Sequence, residues 1–142
     1  MLDLAVGDPE YGGITGNVSP KSFTSYMNVI RTSLPAEYRA DSNSVHLDIG
    51  SGMGHPVFCM ACDHIRASLG LEYVRDLTYK SLEVFAKLGN ETVKAGCKEG
   101  GGVSGTVLAM QSPVYIQQAD IMCLDTLEGL THLYSFSEGM PP

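Results

Sequence analysis

Basic residues are scarce in this chain. Nine Lys and Arg stand against sixteen Asp and Glu, giving a formal charge of -7. A nucleic-acid footprint needs clustered Lys and Arg to neutralise phosphates, so the sequence carries no strong nucleic-acid signal. No apolar run approaches the roughly 20 residues that cross a bilayer, and no charged-then-apolar leader stands at the start. The expectation is an intracellular protein, cytoplasmic or nuclear, with no membrane partner. Cysteine is limited to four residues. Cys59 and Cys62 form a C-x-x-C beside His55 and His64, but a structural zinc site wants a second such pair. Cys97 and Cys123 stand alone. No metal is therefore expected, and Cys59 and Cys62 read as small apolar residues on the buried face of a helix. A disulfide framework is not expected either. The run Glu99-Gly100-Gly101-Gly102-Val103-Ser104-Gly105 lacks the lysine that a phosphate-cradling loop places before its helix, and reads as a surface insertion.

What the sequence does hold is a glycine turn after a strand. Hydrophobic residues make up 44% of the 142, enough for one domain with a real core. The run from Val45 to Gly54 is a short apolar strand ending in an acid, Asp48, followed by three alternating glycines, Gly50, Gly52 and Gly54. Alternating glycines let a backbone turn tightly and approach a ligand closely. Pro56 to Cys62 reads as the helix after the turn, with Pro56 tolerated in its first turn. A second strand, Ala67 to Glu72, again ends in an acid. A strand, a glycine turn, a helix and a second strand ending in an acid are the parts of a nucleotide-type cofactor site. The nicotinamide fingerprint is G-x-G-x-x-G. Here the spacing is Gly50-x-Gly52-x-Gly54, with Asp48 ahead of it. A carboxylate at Asp48 accepts hydrogen bonds from an ammonium group. S-adenosylmethionine carries such a group and nicotinamide dinucleotides do not.

Asp48 to Gly54 resembles motif I of class I S-adenosylmethionine-dependent methyltransferases, and the resemblance runs over roughly residues 11–140. Gly70-Leu71-Glu72 is similar to the ribose-binding acid that ends the family's second strand. Tyr115 to Ile121 resembles the third strand with its terminal acid, Asp120, and Thr131 to Phe136 the fourth. The resemblance implies S-adenosyl-L-methionine as cofactor. Asp48 would hold its ammonium group, Gly50, Ser51, Gly52 and Gly54 would line its methionine part, and Glu72 would take the ribose. Asp120, or the amide of Ile121, would read the adenine, and Tyr134 and Phe136 would face the reacting methyl. A narrower likeness is to histone lysine methyltransferases of the telomeric-silencing-disruptor type, through Tyr11-Gly12-Gly13 ahead of a helix and then motif I. It implies that Tyr11 closes over the cofactor and that the acceptor is a protein lysine. Gly13 stands where that type has a glutamate, and Tyr134 to Glu138 holds no asparagine.

Residues 1–44 read as an N-terminal loop or lid followed by a helix, and residues 45–142 as the cofactor-binding domain. Phe23, Met27, Ile30 and Leu34 recur at helical spacing over 21–34, which Pro35 ends. Leu77, Leu82, Phe85 and Leu88 mark a second long helix, with Lys80, Glu83 and Lys87 outward. A short helix is expected over Met122 to Leu130. Alternating strands and helices imply an α/β fold, a Rossmann-like parallel sheet with helices on both faces. In the family the sheet continues past a fourth strand, so the expectation is a form truncated there, with an exposed edge through which copies could associate. The functional expectation is methyl transfer from S-adenosylmethionine, with an inactive cofactor-binding partner subunit as the alternative.

Overall fold

The computed structural model describes residues 20–96 and 110–135. Four parallel strands form one sheet: β1 (Val45–Ile49), β2 (Ala67–Glu72), β3 (Val114–Gln118) and β4 (His132–Ser135), in the order β3-β2-β1-β4. Asp48 lies opposite Gly70 on β2 and opposite Tyr134 on β4, and Glu72 lies opposite Gln118 on β3. The expected parallel α/β sheet is the one observed.

Among the described residues three α-helices accompany it: α1 (Pro20–Asn28), α2 (His55–Ala61) and α3 (Arg75–Gly96). Helix α1 runs into a π-helical turn over Val29–Ser33, where the Leu34 amide bonds the Val29 carbonyl at 3.1 Å. Side chains alternate across a strand, so His46, Asp48, Ser68, Gly70, Glu72 and Tyr134 share one face. That face carries all three helices. Ser68 Oγ donates to the Val57 carbonyl of α2 at 2.8 Å. Tyr134 packs on Tyr26 of α1. Phe85 of α3 stacks on Phe58 of α2 with centroids 6.0 Å apart. Met60 of α2 joins Phe23, Met27, Ile30 and Ile65 in one buried cluster, which fastens α1 to the sheet. Arg31 adds a bidentate contact to Asp63, with Nε at 2.7 Å. Both groups are partly exposed, and such pairs contribute little to stability.

On the opposite face Leu47 and Leu71 are buried, whereas Tyr115 is 60% and Leu133 52% exposed. No helix of the described residues covers that face. The N-terminal loop, the glycine-rich insertion and the end of the chain lie outside the described residues.

Three details of the sequence reading change. The expected helix over Met122 to Leu130 is one 3₁₀ turn, Ile121–Cys123. Asp125 and Thr126 favour turns over helix, and Gly129 takes a φ of 87°, so the backbone cannot continue. Leu82 is exposed on α3, whose buried stripe runs through Leu77, Thr78 and Ser81 instead. Cys59 is exposed. The buried face of α2 is Val57, Phe58, Met60 and Ala61, and a residue between Phe58 and Met60 must turn away from it. No helix among the described residues is long and apolar enough to cross a membrane.

Candidate functional site

The site forms where β1 and β2 end. Beyond Ile49 the chain reverses over Gly50, Gly52 and Gly54, with φ of 71°, 52° and 81°. This left-handed region is open to glycine and costs other residues about 1–2 kcal/mol each. The amides of Gly50 and Ser51 both donate to the Leu71 carbonyl at 2.9 Å, which locks the turn to the end of β2. A Cβ on Gly54 would meet Ser81 Oγ at 2.7 Å and the Phe58 ring at 2.9 Å. Gly54 therefore lets α2 and α3 close under the turn. A Cβ on Gly52 would meet nothing within 4 Å, so this glycine faces open space, where a ligand can approach the backbone. Gly70 has a separate role: a Cβ there would lie 2.9 Å from Ser51 Oγ and from Val57 Cγ2, and its absence brings α2 down onto β2.

Two carboxylates stand at this end of the sheet. Glu72 is buried and holds the backbone around it: Oε2 accepts from the Gly52 amide at 2.7 Å and Oε1 from the Val74 amide at 2.8 Å. Each oxygen keeps a second lone pair for a ligand hydroxyl. Asp48 differs. It is 2% exposed, and its Oδ2 is buried with no hydrogen-bond partner. Burial, reinforced by the negative charge of Glu72, pushes its carboxyl up to about 8. A buried carboxylate without a partner is costly. In this state the group holds its proton at neutral pH, and a cation arriving beside it would release that proton.

Aromatic rings close the side of the site nearest β4. Tyr134, opposite Asp48, lies 4.8 Å from the Tyr26 ring and 6.0 Å from the Phe23 ring, both edge-on. The Tyr26 hydroxyl is buried without a partner. Burial, the Asp48 charge and Tyr134 push the Tyr26 phenol up to about 12. Burial and Asp48 raise the Tyr134 phenol as well. Both phenols thus stay neutral while sensing the same carboxylate.

The structure brings together Asp48, Gly50, Ser51, Gly52, Gly54, Glu72 and Tyr134. Asp120 joins the same end of the sheet, because the Ala119 amide donates to the Glu72 carbonyl at 3.0 Å. Its Oδ1 accepts from the Met122 amide at 2.9 Å, capping the turn that begins at Ile121. Tyr11 and Phe136 lie outside the described residues. Ser51 Oγ is buried without a partner, as is Ser81 Oγ, each pressed under the turn. Tyr26, Gly70 and Ser81 were not singled out from the sequence. The signal for Tyr26 was its spacing, three residues after Phe23 and four before Ile30, which sets it on the buried stripe of α1.

A groove of about 610 Å³ opens at the other end of the sheet, bordered by Tyr38, Arg39, Asp41, Thr131 and His132. Its polar groups bond the protein itself: Arg39 Nε donates to the Leu34 carbonyl at 2.7 Å, and His132 Nε2 lies 3.0 Å from the Tyr38 carbonyl. No group of three potential metal ligands occurs among the described residues.

No protein-family model matches the chain, and no curated protein matches it. Among solved structures it is similar to an RNA methyltransferase from Salinibacter ruber in complex with S-adenosyl-L-homocysteine. The two are 23% identical with a TM-score of 0.49, over 84% of this chain and 60% of that one. The chain thus spans about three fifths of that structure's length.

Proposed function

We propose that this chain binds S-adenosyl-L-methionine and serves methyl transfer, with a protein lysine as acceptor. The observation that carries the reading is Asp48: a buried carboxylate, one oxygen without a partner, beside a turn whose middle glycine faces open space. The residues fit the cofactor. Asp48 offers a cation the partner it lacks. Gly52 allows close approach of the methionine part, with Gly50, Ser51 and Gly54 shaping the turn. Glu72 retains lone pairs for two ribose hydroxyls, and Asp120 or the Ile121 amide stands at the end of the next strand for the adenine.

The cofactor supplies an electrophilic methyl on sulfur, so the protein's task is to position and to exclude water. In this reading Tyr134 faces the reacting methyl, the role that the resemblance also gives Phe136. The lysine acceptor rests on the likeness of Tyr11-Gly12-Gly13 and the following helix to histone lysine methyltransferases. A lysine ammonium must lose a proton before it attacks, and water or a base at the mouth of the site must take it.

A second reading keeps the cofactor and drops the turnover. β4 ends the sheet among the described residues, which suits a cofactor-holding domain completed by a partner subunit. The test is methyl transfer from radiolabelled cofactor to lysine-bearing protein, with RNA as a parallel acceptor. Label on lysine supports the first reading. Label on RNA alone refutes the lysine acceptor, and binding without transfer to either supports the second reading.

A further inference from the structure

Two polar groups on the face that carries the helices are buried without a partner: Asp48 Oδ2 on β1 and the Tyr26 hydroxyl on α1. Each such group is costly when left unpaired. Tyr134 links them: it lies opposite Asp48 on the sheet, its ring is 4.8 Å from the Tyr26 ring, and the Asp48 charge helps raise the Tyr26 phenol. Packing does not explain the hydroxyl. The Tyr26 ring is already held by Phe23, with centroids 5.6 Å apart, and by Tyr134, and phenylalanine would make the same contacts. A ligand donor that reached both groups would satisfy both. An ammonium group has three N–H donors and would serve both, while aromatic faces attract its charge.

We propose that Tyr26 is a binding residue of the cofactor site, whose hydroxyl accepts from the ligand's ammonium group alongside Asp48 and whose ring, with Tyr134, faces the same charge. This rests on the reading of the site as one for S-adenosylmethionine. It assigns the helix ahead of the first strand a part in choosing the ligand. Asp48 supplies the charge, and Tyr26 adds a neutral acceptor that an uncharged ligand end would leave unpaired. The charged and titratable groups on this side are Asp48, Glu72 across the β1–β2 pair and the Tyr134 phenol.

The test is calorimetric titration of the whole chain and its Tyr26→Phe variant with three ligands: S-adenosylmethionine, S-adenosylhomocysteine and methylthioadenosine, which lacks the amino-acid end. Melting of both proteins without ligand is measured alongside. The expected result is about five- to tenfold weaker binding of the two ammonium-bearing ligands, the net worth of one hydrogen bond. Methylthioadenosine should bind both proteins equally, and the empty variant should melt no lower than wild type. Equal binding of all three ligands by both proteins overturns the role of Tyr26 while leaving the cofactor reading intact. A variant that loses methylthioadenosine as well, or that melts lower or fails to fold, shows the hydroxyl to be structural and also overturns it. Failure of the wild-type chain to bind S-adenosylmethionine removes the cofactor reading itself, and this inference with it.

Discussion

Asp48 concentrates the electrostatics of the site in one side chain. Its carboxyl is pushed up to about 8, first by burial and then by Glu72. The folded protein therefore keeps this proton over a pH range in which the unfolded chain has lost it. The linkage has a definite sign: the stability tied to this group is present below the ordinary carboxylate range and is lost as pH rises through about 8. Ligand affinity runs the other way, because an ammonium group binds the ionised carboxylate. We expect the association constant for S-adenosylmethionine to rise by about tenfold per pH unit at pH values below 8 and then to level off. The Asp48→Asn variant should bind weakly with no such slope. Calorimetry in buffers of different ionisation heat checks this through the proton released on binding; a flat profile for wild type would contradict it. The acid was readable in the sequence from its place before three glycines. The empty Oδ2 and the hydroxyl of Tyr26 were not, because burial without a partner is a property of packed neighbours.

At the scale of elements, the glycine turn is a joint between β1, α2 and α3, and its glycines are not equivalent. Gly54 has φ of 81° and no room for a Cβ between Ser81 and Phe58, whereas Gly52 has φ of 52° and open space. Gly54→Ala should therefore combine backbone strain with displacement of the Phe58–Phe85 stack and lose more than about 3 kcal/mol of stability. Gly52→Ala should lose only about 1–2 kcal/mol, yet weaken ligand binding, since the new methyl occupies the space beside the Glu72-bound amide. Denaturant unfolding and titration of the two variants check the contrast, and equal losses of stability would refute it. The strands were legible as elements because apolar runs stop at acids and glycines; β1 and β2 begin and end where their sequences predict. The segment after β3 was not. Met122, Leu124, Leu127 and Leu130 repeat at near-helical intervals, but Asp120 caps a single turn and Gly129 reverses the chain. Met122 lies 85% exposed, and Leu124 and Leu127 are exposed with it.

Taken whole, the molecule is an acidic α/β unit with its described helices on one face of a four-stranded sheet. The cofactor-type site sits where β1, β2 and β4 end, and every chemical feature it has converges there. α1 reaches it through Tyr26, β1 through Asp48, β2 through Glu72 and β4 through Tyr134. The sequence order of strand, glycine turn and acid was enough to locate this end of the sheet, since Asp48, Glu72 and Asp120 each fall at or within two residues of a strand end. It was not enough to show that the N-terminal helix packs beside this end, because Tyr26 meets Tyr134 only in the folded chain. Nor could it place Cys59, whose exposure depends on which side of α2 meets β2.

The central claim is that Asp48 and the glycine turn hold the charged end of S-adenosylmethionine. Calorimetric titration of the purified chain with this ligand, beside its Asp48→Ala variant, tests it most directly. The account predicts binding by wild type and a loss of about 30-fold or more in the variant, the usual result of truncating one partner of a buried charge pair. A folded wild-type chain that does not bind, or a variant that binds as well as wild type, would contradict it.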